Sequence, residues 1–165
     1  MQGYLIRIAF LFCEIMIYEF IFDRIKASSS LSPIMGVEFA NPSYPEKIFK
    51  TIALIDTGAD FCILPKSASK LIGIDLEDSG AETVKLSCAC GNEVYHGHKF
   101  KINIAIKNAQ NEEKKFLLWV IFSSTDKVNT LLGMNFMRFF DKIEISIKEN
   151  KGKLINFNEE FEEDG

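Results

Sequence analysis

Residues 49–65 read FKTIALIDTGADFCILP, and the rest of the chain is organised around this stretch. Phe49–Ile55 is apolar and partly β-branched, the composition of a strong central strand. It runs directly into Asp56-Thr57-Gly58-Ala59-Asp60, and the apolar Ile63-Leu64-Pro65 follows. A carboxylate at the end of a buried strand costs on the order of several kcal/mol unless water or hydrogen-bond donors reach it. Thr57 can donate from its hydroxyl to neighbouring backbone. Gly58 lets the chain turn closely and present its amide. Together they can hold Asp56 rigidly, with its oxygens exposed at the top of a loop. A simple strand-ending Asx turn is the other reading of the same residues.

Outward from this stretch the chain reads as strands and turns. Ile34–Phe39 is a short strand, and Asn41–Lys47, with two prolines, is a hairpin connection. Val84–Ser87 and Tyr95–Ile106 are the arms of a long hairpin joined near Gly91-Asn92. Phe116–Phe122 is a nearly continuous apolar run and hence a buried strand, and Thr130–Gly133 is a second one. Ile143–Ile147 alternates, Lys151-Gly152-Lys153 is the expected turn, and Leu154–Phe157 closes the sheet. Between Ile34 and Phe157, helix is expected only at Pro65–Leu71, with Pro65 at its start, and over Asn135–Phe140. About eight strands, at most two short helices and no βαβ rhythm predict an all-β fold and exclude a Rossmann-type nucleotide fold.

The chain has 165 residues, 47% hydrophobic and 25% charged, which suits one globular domain. Fifteen Phe residues are a heavy aromatic load and point to a sheet-rich core or an apolar interface. The formal charge is -4, and Lys and Arg are scattered, so no basic field draws the chain to nucleic acid. A structural zinc site would have to combine Cys88, Cys90, His96 and His98 within eleven residues, closer than usual ligand spacings. No metal and no cofactor are expected. Free thiols in a reducing compartment are the simplest reading of the four cysteines, and they place the protein in the cytoplasm.

Residues 4–22 reach the length of a membrane span but carry Arg7, Glu14 and Glu19. Each charge at mid-bilayer depth would cost roughly 2.5–3.5 kcal/mol, so membrane association through this segment is open but not favoured. No basic cluster precedes it and no small-residue cleavage site closes it, so it is a poor signal peptide. Its first half suits an amphipathic helix packed on the domain. Its second half, about Ile15–Asp23, is β-branched and aromatic and suits a strand.

One Asp cannot easily serve as both acid and base near neutral or mildly acidic pH. A second carboxylate a few ångströms away solves this, because two like charges cannot both ionise and one proton is shared. The motif occurs once, so the second carboxylate has to come from another copy of the chain on a two-fold axis.

Two motifs in order, Ala53–Asp60 with Ile63-Leu64-Pro65 and then Leu131-Leu132-Gly133 with its helix and strand, make the chain resemble the retropepsin-like aspartic peptidases. The resemblance runs from about Leu31 to Phe157, and SPIMGVEFA looks like the opening strand of such a domain. It implies a closed, barrel-like single-lobe fold, with the Leu-Leu-Gly segment crossing under the active-site loop. It divides the chain into a hydrophobic extension and connector (1–30), a retropepsin-like domain (31–157) and an acidic tail (158–165). It implies an aspartic endopeptidase, active as a homodimer on extended peptides, with Asp56 catalytic and Thr57 and Gly58 supporting the loop. Ala59, Asp60, Leu86, Ser87, Cys88 and Met134 would line the substrate cleft, and the Leu86–Phe100 hairpin would be the flap. A catalytically inactive dimerisation or peptide-binding module is the alternative, and a zinc-binding or membrane-tethered regulator built on the Cys88–His98 hairpin is a third. Two features depart from the retroviral pattern. Met134 stands where Arg usually follows the Gly, leaving Asp60 to pair elsewhere, with Arg138, or to stay solvated. Cys88-Ala89-Cys90-Gly91 replaces a glycine-rich flap tip.

Overall fold

The computed structural model describes residues 16–25, 30–77, 80–87 and 94–157. In chain order these form β1 (Ile17–Asp23), β2 (Ser32–Asn41), β3 (Tyr44–Ile55), β4 (Cys62–Leu64), α1 (Lys66–Leu71), β5 (Thr83–Ser87), β6 (Val94–Lys107), β7 (Glu113–Ser123), β8 (Leu131–Leu132), α2 (Met134–Met137), β9 (Phe140–Ser146) and β10 (Lys151–Phe157). The fold is all-β with two short helices. Ten strands are present among the described residues where about eight were expected. Ile17–Asp23, the β-branched aromatic segment, is one of those added, and Cys62–Leu64 is another.

β3 is longer than its apolar half. Asn41 Oδ1 accepts the Ser43 N–H at 2.9 Å, an Asx turn that reverses the chain within two residues. Tyr44 and Pro45 therefore belong to the strand, where a broader connection was expected. They are exposed, at an end where a proline without a donor is tolerated. β2 pairs with β3 through Ile34↔Leu54 to Phe39↔Phe49, and also with β6 through Phe39↔Ile104. That second pairing closes β2-β3-β8-β4-β7-β6 into a six-strand barrel.

Alternation fills the barrel. Val37 and Phe39, Ile102, Ile104 and Ile106, and Leu118, Val120 and Phe122 all point inward and are buried. Each such side chain contributes roughly 1.5–3 kcal/mol relative to exposure. The Phe content has a specific use at the junction with α2. Ring centroids of Phe116 and Phe139 lie 4.8 Å apart, Phe136 and Phe140 5.4 Å, and Tyr18 and Phe140 5.8 Å. This aromatic chain welds α2 to β1. Pro65 gives α1 no side-chain cap. Asp126 Oδ1 supplies one by accepting the Ser67 N–H at 2.7 Å. Hydrogen bonds from the Ser67 backbone and then its hydroxyl hold the Asp126 carboxyl below the usual carboxylate range.

Beyond the barrel the sheet continues from β2 through β1 and β10 to β9. The turn joining β9 to β10 is Ile147–Asn150, with Asn150 at φ 51°, and not the expected Lys151-Gly152-Lys153. Asn tolerates the left-handed region well enough to make that turn. Gly152 is needed for a different reason. It pairs with Phe20 across the strands, and the Phe20 ring lies over it, so that a Cβ there would sit 2.6 Å from Cε1 and closer still to the rest of the ring edge. α2 also ends earlier than expected, because Phe140 already pairs with Phe157 as the first residue of β9. Among the described residues no helix is long and apolar enough to cross a membrane.

The Phe20–Gly152 contact yields a prediction. Gly152→Val should destabilise the fold by about 1–3 kcal/mol through overpacking, read as a lowered urea midpoint with an unchanged slope.

Candidate active site

The site is built where β8 enters between the two strands flanking the Asp56 loop. Leu131-Leu132 runs parallel to β3 (Leu54↔Leu131, Ile55↔Leu132) and antiparallel to β4 (Ile63↔Leu131). The Leu54 N–H donates to Thr130 O at 2.9 Å and the Asp56 N–H to Leu132 O at 3.0 Å, so the strand carrying Asp56 is bonded to its last residue. The buried Leu132 side chain anchors this crossing in the core.

Above the crossing the chain turns. The Gly58 N–H donates to Asp56 Oδ1 at 2.8 Å, and the Ala59 N–H to Asp56 O at 3.3 Å. This is the Asx turn that the sequence offered as a plain alternative to a functional carboxylate. It is present, and it fixes the carboxylate's orientation, so the two readings are compatible. Asp56 is half-buried, and Thr57 and Gly58 are exposed at the tip.

The far side of the loop rests on Gly133 and the start of α2. The Met134 N–H donates to Ala59 O at 2.7 Å, and the Asn135 N–H to Asp60 O at 3.0 Å. Gly133 is packed so closely that a Cβ would lie 2.5 Å from the Phe61 carbonyl carbon and 2.7 Å from Ala59 O. These are backbone atoms that cannot swing aside. Sequence reasoning missed Asn135. Its side chain, 5% exposed, accepts the Cys62 N–H at Oδ1 (3.0 Å) and donates from Nδ2 to Trp119 O (2.7 Å). It clamps β4 to β7 directly behind the loop. An amide two residues after the Gly of an apolar-apolar-Gly run was the only available signal.

The structure thus brings Asp56, Thr57, Gly58, Ala59, Asp60 and Met134 together. Met134 is half-buried against the core and bonds the loop through its backbone. Asp60 is exposed, and among the described residues it makes no ion pair, with Arg138 or any other cation, so of the two alternatives it is the solvated one. Leu86 and Ser87 stand on β5, at the outer end of the sheet order, paired with Tyr95 and Val94 of β6. Cys88 and Cys90 lie outside the described residues. β6 reaches back to the site through Lys99, whose Nζ is 5.3 Å from the Phe61 ring centroid and 4.7 Å from that of Trp119. His96 and His98 lie on β6, and no group of potential metal ligands is found among the described residues.

A closed barrel with one Asx-turned Asp-Thr-Gly loop, laid over a threaded Leu-Leu-Gly strand, defines the single-lobe aspartic protease class. The chain belongs to the gag-polyprotein putative aspartyl protease family, whose sequence model matches residues 49–138, from within β3 to the end of α2. No curated protein sequence matches it significantly. Among solved structures it is similar to a retropepsin-like aspartic protease from Rickettsia conorii, with a TM-score of 0.61 and 18% identity over 87% of this chain and 92% of that one. At that identity the likeness is one of fold, and the fold is retropepsin-like.

The Asn135 clamp is testable. Asn135→Ala leaves the buried Cys62 N–H without its acceptor and should lower stability by about 1–3 kcal/mol in chemical unfolding.

Proposed function

We propose that the protein is an aspartic endopeptidase whose site is completed by a second copy of the chain. The observation that carries this reading is the state of Asp56. One oxygen is held by the Gly58 amide, and among the described residues no protein group bonds the other. A fixed, half-buried carboxylate with a free oxygen is half of a dyad. Set against the partner's Asp56, the pair would share one proton.

In the hydrolysis, the ionised carboxylate takes a proton from a water lying between the two. That water's oxygen attacks the scissile carbonyl carbon, and the other carboxyl gives its proton to the carbonyl oxygen. The resulting diol then collapses: one hydroxyl returns its proton to the ionised carboxylate, the C–N bond breaks, and the amine leaves with the proton held by the other carboxyl. No covalent intermediate with the protein forms. Thr57, exposed and without a hydroxyl partner within the chain among the described residues, would brace the partner's loop. Ala59, Asp60 and Met134 would line the cleft beside the dyad, and Leu86, Ser87 and Cys88 would cover it from the β5–β6 hairpin. An extended peptide would bond the loop and hairpin through its main chain.

The test compares the native chain with Asp56→Asn on a mixed peptide library over roughly pH 4 to 7, with mass measured on the same samples. Cleavage should follow a bell-shaped pH profile and fall at least about a hundredfold in the variant, while dimer mass is retained. A native chain that is folded but neither cleaves nor dimerises would leave the inactive binding module as the better reading.

A further inference from the structure

The sheet ends at β9, and that edge has the features of an interface with a second copy. Resting on the dyad reading above, we propose that two chains join by antiparallel pairing of β9 with the partner's β9, with Ile143 facing its own image on the two-fold axis. β1 and β10 pair with one another inside one chain, from Ile17↔Ile155 to Ile21↔Lys151, and only β9 is left as an edge among the described residues of this part of the sheet.

Three observations point to a second copy as the occupant. First, the core rows run to the edge and stop in solvent. Tyr18, Leu154 and Ile143 are cross-strand neighbours on one face, as are Phe20, Gly152 and Ile145. Tyr18, Phe20 and Leu154 are buried, yet Ile145 at the end of its row is 57% exposed. Second, the edge contains no proline and pairs with β10 without a register shift, and its charges are of both signs, so they can be matched by a second copy as well as repel one. Third, the charges are self-complementary in one register. Alternate residues aim their backbone groups at the free edge, so symmetric pairing must set a residue against itself. Centring on Lys142 or Glu144 opposes like charges, and centring on Ile145 sets Lys142 against Lys148 and runs into the turn. Centring on Ile143, the midpoint of β9, pairs all seven residues. Lys142 then faces the partner's Glu144 on one side; on the other, Ile143 faces its own image with each Ile145 beside it, opposite the partner's Asp141.

The edge also has a short path to the site. Two residues separate α2, whose Met134 and Asn135 amides hold the Asp56 loop, from the first residue of β9.

The test exploits the charge pair. Lys142→Glu alone and Glu144→Lys alone each set like charges opposite one another, and each should weaken self-association at least about tenfold by sedimentation, with cleavage lost in parallel. Mixing the two variants sets Glu against Lys at both contacts and should restore dimer and cleavage together. Both variants keep a like-charge pair within each chain, so loss of the internal Lys142–Glu144 contact cannot be repaired by mixing. Ile145→Glu, at an exposed position, sets a like charge against the partner's Asp141 and should also give a folded monomer by circular dichroism. The proposal is overturned if the single variants dimerise and cleave like the native chain, which would leave the dyad reading standing with another interface. It is equally overturned if mixing restores nothing, or if the edge is covered by residues 1–15 of the same chain, in which case substitution lowers stability without changing mass. A native chain that never dimerises and never cleaves removes the dyad reading as well.

Discussion

A strand can pass between β3 and β4 beneath the Asp56 loop only if it leaves that passage through a residue without a side chain. Gly133 meets this steric demand, because a Cβ there would press on the carbonyls of Ala59 and Phe61. Once the passage is made, hydrogen bonding under the loop follows from it. Leu132 O takes the Asp56 N–H, and the Met134 and Asn135 amides take the carbonyls of Ala59 and Asp60. Buried backbone groups must find partners, and here they find them on the underside. The upper side is left for the Asp56 carboxylate and the Thr57 hydroxyl.

The same reasoning explains why an Asx turn and a working carboxylate are not rivals. A side chain that must react in one orientation has to lose its rotameric freedom somewhere, and losing it during folding removes that cost from the reaction. The Gly58 amide holds Oδ1 in the folded chain. The turn is local and needs only Asp, one intervening residue and a Gly that can approach closely. For that reason the motif can be recognised in a short stretch of sequence.

What the sequence disclosed and what it concealed divide along that line of locality. The central strand, the Asp56 turn and the threaded Leu-Leu-Gly segment are each specified by a few adjacent residues, and all three stand where they were expected. Asn135 escaped because its role depends on Cys62, 73 residues away, and on the Trp119 carbonyl, neither of which an isolated Asn advertises. Lys151-Gly152-Lys153 misled for a related reason. A glycine between two lysines looks like a turn, whereas this one is small because the Phe20 ring crosses it from a strand some 130 residues earlier. In both cases the side chain, or its absence, answers a distant neighbour, and pattern within one segment carries no trace of it.

Folding and assembly are separable in this architecture. The β2–β6 pairing closes the barrel within one chain, and β1, β10 and β9 complete their sheet without a second copy. The groups left without a protein partner among the described residues, the second oxygen of Asp56 and the Thr57 hydroxyl, lie at a loop tip that water reaches, so they impose no large desolvation cost on a single chain. Nothing in the energetics of the fold therefore requires two copies. On the proposed dyad reading, the requirement would come from the chemistry, because one carboxylate cannot hold both protonation states at once. On the same reading, the barrel would persist at concentrations where the site is incomplete, and the association equilibrium, not the folding equilibrium, would set how much active protein is present.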